Sequence, residues 1–106
     1  EGIFIGDDVT IGRGTFIHGA NHAFEKSDVP INKQGTICSK ISFNNKFFSV
    51  IIENDVWIGS GVIILSGAQI SQGCVIGAGT VVTKGFYPPL SVIVGNPAKI
   101  SSVRAK

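Results

Sequence analysis

Charged residues are scarce in this chain. Only 15% of its 106 residues are charged, the net charge is +2, and lysine and arginine form no run. A protein that binds nucleic acid usually has a basic stripe interleaved with aromatic residues, so we exclude that class. Long apolar runs are also absent, because the longest, residues 62–65, is far too short to span a bilayer. No charged segment followed by an apolar one opens the chain, so we expect neither membrane insertion nor a secretory signal.

Cysteine is nearly absent too. Cys38 and Cys74 lie far apart and fit no spacing typical of a metal or redox site. We expect two free thiols in the reducing cytoplasm. By contrast, 43% of the residues are hydrophobic, which indicates a folded chain with a buried core. The length fits one domain, residues 1–106. Because it starts at Glu1 without methionine and enters a repeat at once, we expect a fragment.

A six-residue repeat dominates the chain. Two series of aliphatic residues recur at every sixth position: Ile5, Ile11 and Ile17, then Ile52, Ile58, Ile64, Ile70, Ile76 and Val82. A second set precedes most of these by two positions: Val9, Thr15, Val56, Val62, Ala68, Cys74 and Thr80. Residues two apart share one face of an extended strand, so each unit has a short inward-facing pair.

Short segments rich in Gly, Asn and Asp separate these pairs and are typical of sharp turns. A period of six does not keep one face of a helix apolar, which excludes a helix. The pattern therefore predicts an all-β solenoid in which each short strand pairs with the coils above and below. Matches at a spacing of 18, such as Ile58 with Ile76, Gly61 with Gly79 and Gly67 with Gly85, indicate three sides per coil.

The repeat is interrupted between Ile17 and Ile52, whose spacing is not a multiple of six. Residues 23–36 are polar and contain Pro30, which predicts a loop extruded from the coil. Residues 38–51 are rich in phenylalanine and form a second excursion, either a small hairpin or a bulge. A loop that leaves a rigid scaffold is a usual location for function.

Four motifs give the sequence a family resemblance: "GANH", "DVWIG", "IGAGTVVTK" and "GNPAK". Together they resemble the hexapeptide-repeat acyltransferases, which include maltose, galactoside, serine, xenobiotic and polysaccharide acetyltransferases. The resemblance implies a left-handed parallel β-helix, a homotrimer with active sites between subunits, and acetyl-CoA as co-substrate. The activity that it implies is transfer of an acetyl group to a hydroxyl of a sugar or polysaccharide intermediate.

Transfer of an acyl group to a hydroxyl requires a base, and a histidine side chain is largely neutral and basic at cytosolic pH. The chain has two histidines, His18 and His22. In the resembling enzymes the base follows "GAN" or a similar run just before the extruded loop, which implies that His22 is the catalytic residue. His18 follows Ile17 at a corner and is a candidate for acceptor binding or an ordinary surface residue.

The resemblance also implies a binding site for coenzyme A. Trp57 and Ser60 would line its inner end, the Ala78 backbone, Thr83 and Lys84 would follow, and Asn96, Pro97 and Lys99 would form an outer loop. Arg104 is a further candidate for a phosphate contact. The alternatives stay open: Trp57 could pack between subunits, Ser60 could be an ordinary turn residue, and lysines are most often solvated surface charges.

Three polar residues near the predicted loop, Asn21, Asp28 and Gln34, are candidates for sugar binding, although each could simply fold the loop. Because the xenobiotic acetyltransferases share "GANH", an antibiotic hydroxyl is an alternative acceptor. A non-catalytic solenoid that acts as a scaffold or binding module is a second alternative. We expect no metal, since a catalytic zinc normally needs three protein ligands and the chain has two histidines.

Overall fold

The structure is a computed structural model that describes residues 2–105, which form short β-strands and one 3-10 turn. The strands of the first half are β1 (Gly2–Ile5), β2 (Thr10–Ile11), β3 (Phe16–Ile17), β4 (Asn21–His22), β5 (Thr36–Ile37), β6 (Ile41–Phe43) and β7 (Lys46–Ile52). Those of the second half are β8 (Trp57–Ile58), β9 (Ile63–Ile64), β10 (Ala68–Ile70), β11 (Val75–Ile76), β12 (Val81–Val82), β13 (Gly85–Tyr87), β14 (Ser91–Gly95) and β15 (Ala98–Val103). The 3-10 turn covers Ile31–Lys33. The prediction of an all-β chain is confirmed.

Three parallel sheets stack the strands of successive coils. Side A contains β1, β7, β10 and β13, side B contains β2, β8, β11 and β14, and side C contains β3, β9 and β12. The predicted six-residue register is present in the pairs Ile52 with Ile70, Ile58 with Ile76, and Ile64 with Val82. Most strands of these three sides are only two or three residues long, so their backbone partners come from neighbouring coils.

The inward-facing pairs form the core, as the period predicts. Their exposed fraction is at most 1% in the later coils, where Ile58, Val62, Ile70 and Cys74 are all fully buried. The Cys74 thiol contacts the Pro88 carbonyl at 3.1 Å, and burial raises the pKa of this thiol above its ordinary value. In the first coil the equivalent Ile5 is 45% exposed, because no further coil within residues 2–105 stacks below it.

The last coil differs from the predicted period by one residue. Ala68 pairs with Gly85, which lies 17 positions later, so the predicted equivalence of Gly67 and Gly85 is wrong. Two residues, Thr83 and Lys84, connect β12 to β13, whereas three residues connect β9 to β10. The turn of the last coil is therefore shorter, and it lacks the residue that corresponds to Gly67.

The segment between β3 and β7 contains the two antiparallel pairings of the first half. Strand β4 pairs with β5, and β6 pairs with β7 through a two-residue turn in which Asn44 and Asn45 have φ of 52° and 61°. Positive φ at both positions is the geometry of a tight hairpin turn, and asparagine tolerates it well. The hairpin brings Phe43 to 4.9 Å and Phe48 to 5.5 Å from the Phe4 ring, measured between ring centroids.

Three corners join the sides, and we name each after the sides that it connects. Corner AB comprises residues 6–8, 53–55, 71–73 and 88–90; corner BC comprises residues 12–14, 59–61 and 77–79; corner CA comprises residues 18–20, 65–67 and 83–84. These corners decide which candidate residues lie together.

Candidate active site

A groove runs along corner BC and the adjoining part of side B. It encloses about 380 Å³ and is lined by Gly12, Trp57, Gly59, Ser60, Val75, Ile76, Gly77 and Ala78. Trp57 is 58% exposed although it is the largest apolar side chain of the groove. The groove therefore combines an exposed aromatic wall with a lining of small and aliphatic residues, three of which are glycines.

Glycine is required at this corner because adjacent coils approach closely. A Cβ on Gly12 would lie 2.5 Å from the Ser60 nitrogen, and a Cβ on Gly59 would lie 2.7 Å from the Ala78 nitrogen. Real side chains do not reach such distances, so any other residue would push the coils apart. The same glycines leave the backbone of Ser60 and Ala78 uncovered by a side chain.

The N–H groups of Ser60 and Ala78 are open hydrogen-bond donors. Neither donates to an acceptor among residues 2–105, whereas the neighbouring N–H groups of Gly59, Gly61 and Gly79 each donate to a carbonyl of another coil. Both residues are exposed. Uncommitted amides on a rigid corner can bind a carbonyl, an amide or a developing oxyanion without reorganisation.

His22 lies at the base of the segment that follows side C. Its strand β4 pairs with β5, so that His22 is opposite Thr36, and the next N–H, that of Ala23, donates to the Gly35 carbonyl at 3.0 Å. The imidazole is exposed. This arrangement leaves the ring available to solvent or to another chain, while its backbone is fixed.

Corner CA carries His18, Thr83 and Lys84. The His18 N–H donates to the Ile64 carbonyl at 2.8 Å, which fixes this residue at the first coil of the corner. The stem of Lys84 packs over Gly67 beside the Ser39 hydroxyl, and the Thr83 carbonyl accepts from the Tyr87 hydroxyl at 2.9 Å. These residues lie one side of the coil away from Ser60 and Ala78.

The remaining coenzyme candidates lie at the two ends of side B in the last coil. Asn96, Pro97 and Lys99 lie in or next to the turn that connects β14 to the antiparallel strand β15, where the Asn96–Pro97 peptide bond is cis. The Arg104 guanidinium donates to the Gly73 carbonyl at 2.7 Å and lies 3.8 Å from an Asp55 oxygen. Arg104 is thus held at corner AB, where it lines a neighbouring depression together with Trp57 and Val75 of the groove.

The three sugar-binding candidates lie in or beside the loop but have different surroundings. Asn21 pairs with Ile37 in the β4–β5 ladder, and Asp28 is exposed and lines a surface depression together with Phe24 and Pro30. The amide of Gln34 makes three hydrogen bonds to the loop backbone. Gln34 therefore has the surroundings expected of a loop-folding residue.

Within one chain, the structure brings together Trp57, Ser60 and Ala78 in the groove. The turn with Asn96 and Pro97 begins beside Gly77 at the same corner, because β14 stacks on β11 and the Gly77 N–H donates to the Ile93 carbonyl. The other candidates lie at different corners. Sequence reasoning missed the glycines that line this groove, Gly12, Gly59 and Gly77. The spacing of 18 between Gly59 and Gly77 could have found them. Among residues 2–105, no three His, Cys, Asp or Glu side chains form a group that could hold a metal ion. In the same range, no helix is both long and apolar enough to cross a bilayer.

Comparison with known proteins places this geometry in a family. Residues 49–84 match the family described as bacterial transferase hexapeptide (six repeats). The chain is 37% identical to a galactoside O-acetyltransferase from Lactococcus lactis, over 92% of this chain and 42% of that protein. It is 35% identical to a chloramphenicol acetyltransferase from Klebsiella aerogenes, over 92% of this chain and 49% of that protein.

A solved structure extends the likeness to the fold. A hexapeptide-repeat acetyltransferase from Vibrio cholerae, complexed with acetyl coenzyme A, superposes with a TM-score of 0.78 at 33% identity, covering 98% of this chain and 50% of that chain. The chain therefore belongs to the hexapeptide-repeat family. It spans half or less of the length of these three proteins.

Proposed function

We propose that the chain is the coenzyme-binding and catalytic part of an acetyl-CoA-dependent O-acetyltransferase. The observation that carries this proposal is the groove at corner BC, where Trp57 stands beside the two uncommitted N–H groups of Ser60 and Ala78. A pantetheine arm carries amides and a thioester and needs backbone partners of this kind. The likeness to a structure that contains acetyl coenzyme A supports the same ligand.

In the proposed reaction His22 acts as the general base. The acceptor hydroxyl oxygen attacks the thioester carbon while the imidazole accepts the hydroxyl proton. The N–H of Ser60 stabilises the oxyanion, the carbon–sulfur bond then breaks, and the imidazolium returns the proton to the departing coenzyme thiolate. Direct transfer suits this chain, because Cys74 is fully buried in the core and unavailable as a nucleophile.

We further propose that the site is shared between chains of a homotrimer. Ser60 and the base of the His22 loop lie at different corners of two adjacent coils. They are separated by a side whose length is roughly 15–20 Å at the rise of an extended strand. Corner CA of one chain, with His22, His18, Thr83 and Lys84, would face corner BC of its neighbour. Asn96, Pro97, Lys99 and Arg104 stay candidates for the outer part of coenzyme A.

Three structural features of the chain belong to this proposal. We propose that a single left-handed β-helix domain spans residues 1–106, of which Glu1 and Lys106 lie outside the described residues. Residues 23–36 would be its extruded loop and residues 38–51 its second excursion. A cytoplasmic location suits the free thiols of Cys38 and Cys74.

The acceptor that we favour is a hydroxyl of a sugar or a polysaccharide intermediate, as in polysaccharide biosynthesis, with His18, Asn21 and Asp28 as candidate contacts. Similarity to a galactoside O-acetyltransferase supports this choice. A hydroxylated antibiotic is the second candidate, because the likeness to a chloramphenicol acetyltransferase is nearly as strong.

The proposal is tested by thiol release from acetyl-CoA in the presence of sugars, glycan intermediates and hydroxylated antibiotics, with mass spectrometry of the acetylated product. His22→Ala should lower kcat by about 10²–10⁴-fold, the usual contribution of a general base. Calorimetry with coenzyme A serves as the control and should give the wild-type affinity. Undiminished turnover in His22→Ala, or no binding of coenzyme A by the wild type, would refute the proposal.

A further inference from the structure

We propose that Gln34 is a positioning residue that holds His22 in place through the backbone of the loop; this inference rests on the proposed function of His22. The Gln34 Nε2 atom donates to the carbonyls of Lys26 and Val29, each at 2.7 Å. Its Oε1 atom accepts from the Lys26 N–H at 3.2 Å. A primary amide has two donors and one acceptor atom, and here all of them have partners within the loop.

The loop has few other interactions that fix its shape. Its large apolar side chains are exposed, with Phe24 at 67% and Ile31 at 54%, so burial of apolar surface stabilises it little. The 3-10 turn Ile31–Lys33 ends at Gln34, whose own N–H donates to the Ile31 carbonyl at 3.1 Å. The side chain of Gln34 thus ties the two legs of the loop together.

A short path leads from this amide to the imidazole. Gly35 follows Gln34 with φ of 87° and accepts the hydrogen bond from the Ala23 N–H, and Thr36 then pairs with His22. Gln34 therefore fixes the backbone at the point where the chain turns into the strand that holds His22. When the amide is removed, the strand that carries His22 loses this support and the ring moves with it, although Gln34 acts only through the backbone.

The arrangement requires an amide specifically. Gln34→Met keeps the volume but has no donor, and Gln34→Glu presents a carboxylate to two carbonyl oxygens that need donors. Both variants should lower kcat by about 10²-fold, the loss expected when a reacting group is displaced by roughly 1 Å. The KM for acetyl-CoA should change less than about twofold, because the groove at corner BC is untouched.

The test combines kinetics with histidine NMR of the whole protein, in which His18→Gln and His22→Gln variants assign the two rings. In Gln34→Met we expect the His22 ring resonances to shift or broaden while those of His18 stay in place. Gln72→Met, at the exposed position 72 of corner AB, is the matched control and should leave both rings and kcat unchanged.

Unchanged His22 resonances in Gln34→Met would overturn the inference, and so would equal changes in both rings, which would indicate a general loss of structure. Because the NMR result does not depend on turnover, it tests Gln34 even if the acetyltransferase proposal fails. A failed NMR test with intact transferase activity would remove only the role of Gln34.

Discussion

Among the glycines of residues 2–105, Gly12 and Gly59 at corner BC approach the backbone of the next coil most closely. Gly59 approaches the next coil so closely that a Cβ would lie 2.7 Å from the Ala78 nitrogen and 3.0 Å from the Ile76 carbonyl oxygen. These are backbone atoms of a stacked coil, which cannot rotate away as a side chain can. Glycine at this corner therefore does two things: it allows the coils to stack closely, and it leaves the N–H groups of Ser60 and Ala78 exposed.

We expect Gly59→Ala to lower the free energy of unfolding by about 1–3 kcal/mol, the usual cost of overpacking, and to weaken binding of coenzyme A. Denaturant unfolding and calorimetry measure the two effects. Gly61→Asn is the matched control: no atom lies within 4 Å of its Cβ position, and asparagine tolerates the φ of 66°. Equal stability and affinity for the two variants would contradict this account.

The six-residue period predicted which residues face inward better than the motifs predicted which atoms a side chain contacts. The inward pairs were predicted correctly because each coil repeats the same steric environment. Arg104 was predicted only as a candidate phosphate contact, and its bond to the Gly73 carbonyl depends on a strand that turns back at Asn96 and Pro97. No repeat specifies that reversal, so the sequence could not fix where Arg104 would lie.

The hairpin of β6 and β7 is added to the repeating coil and has its own aromatic packing. Ile51 faces away from the main core cluster and yet has no exposed surface. Phe4 contacts Phe43 and Phe48 in the same sheet. The aromatic rings thus form a small satellite cluster that attaches the hairpin to the coil.

Phe4→Ala should reduce the free energy of unfolding by about 2–4 kcal/mol, since it removes the ring that contacts both other aromatic residues. Phe47→Ala is the control within the hairpin: this ring is 57% exposed, and its loss should cost less than about 1 kcal/mol. Urea denaturation of both variants makes the comparison. A Phe4→Ala variant as stable as Phe47→Ala would rule out a stabilising role for the cluster.

The sequence left two forms open for this element, a hairpin or a bulge, for a physical reason. A two-residue turn with positive φ is most often signalled by Asn-Gly, and here the residues are Asn44 and Asn45. The one-residue offset of the last coil was missed for a related reason. Nothing in the local sequence shows that Thr83 and Lys84 make a turn of two residues, because Gly85 resembles the glycines of longer turns.

For the molecule as a whole, the three-sided coil separates residues that the proposed reaction needs together. Ser60 and Ala78 share a corner because they are 18 residues apart, one full coil, while Thr83 and Lys84 belong to the next corner. The sequence motifs predict that these residues act in one site. This is possible only if a second chain completes the site. We therefore propose that His22 of one chain acts at the groove of another.

Activity in a mixture of two inactive variants shows whether the site is shared between chains. His22→Ala lacks the base, and Ala78→Trp fills the groove at an exposed position without disturbing the core. The two variants are mixed in equal amounts, unfolded and refolded together. A site shared between two chains is then active only where its groove comes from a His22→Ala chain and its base comes from an Ala78→Trp chain. Because each side is correct with a probability of about one half, the mixture should recover about one quarter of the wild-type rate. If the mixture is as inactive as its components while an equally refolded wild type is active, the site is not shared between chains.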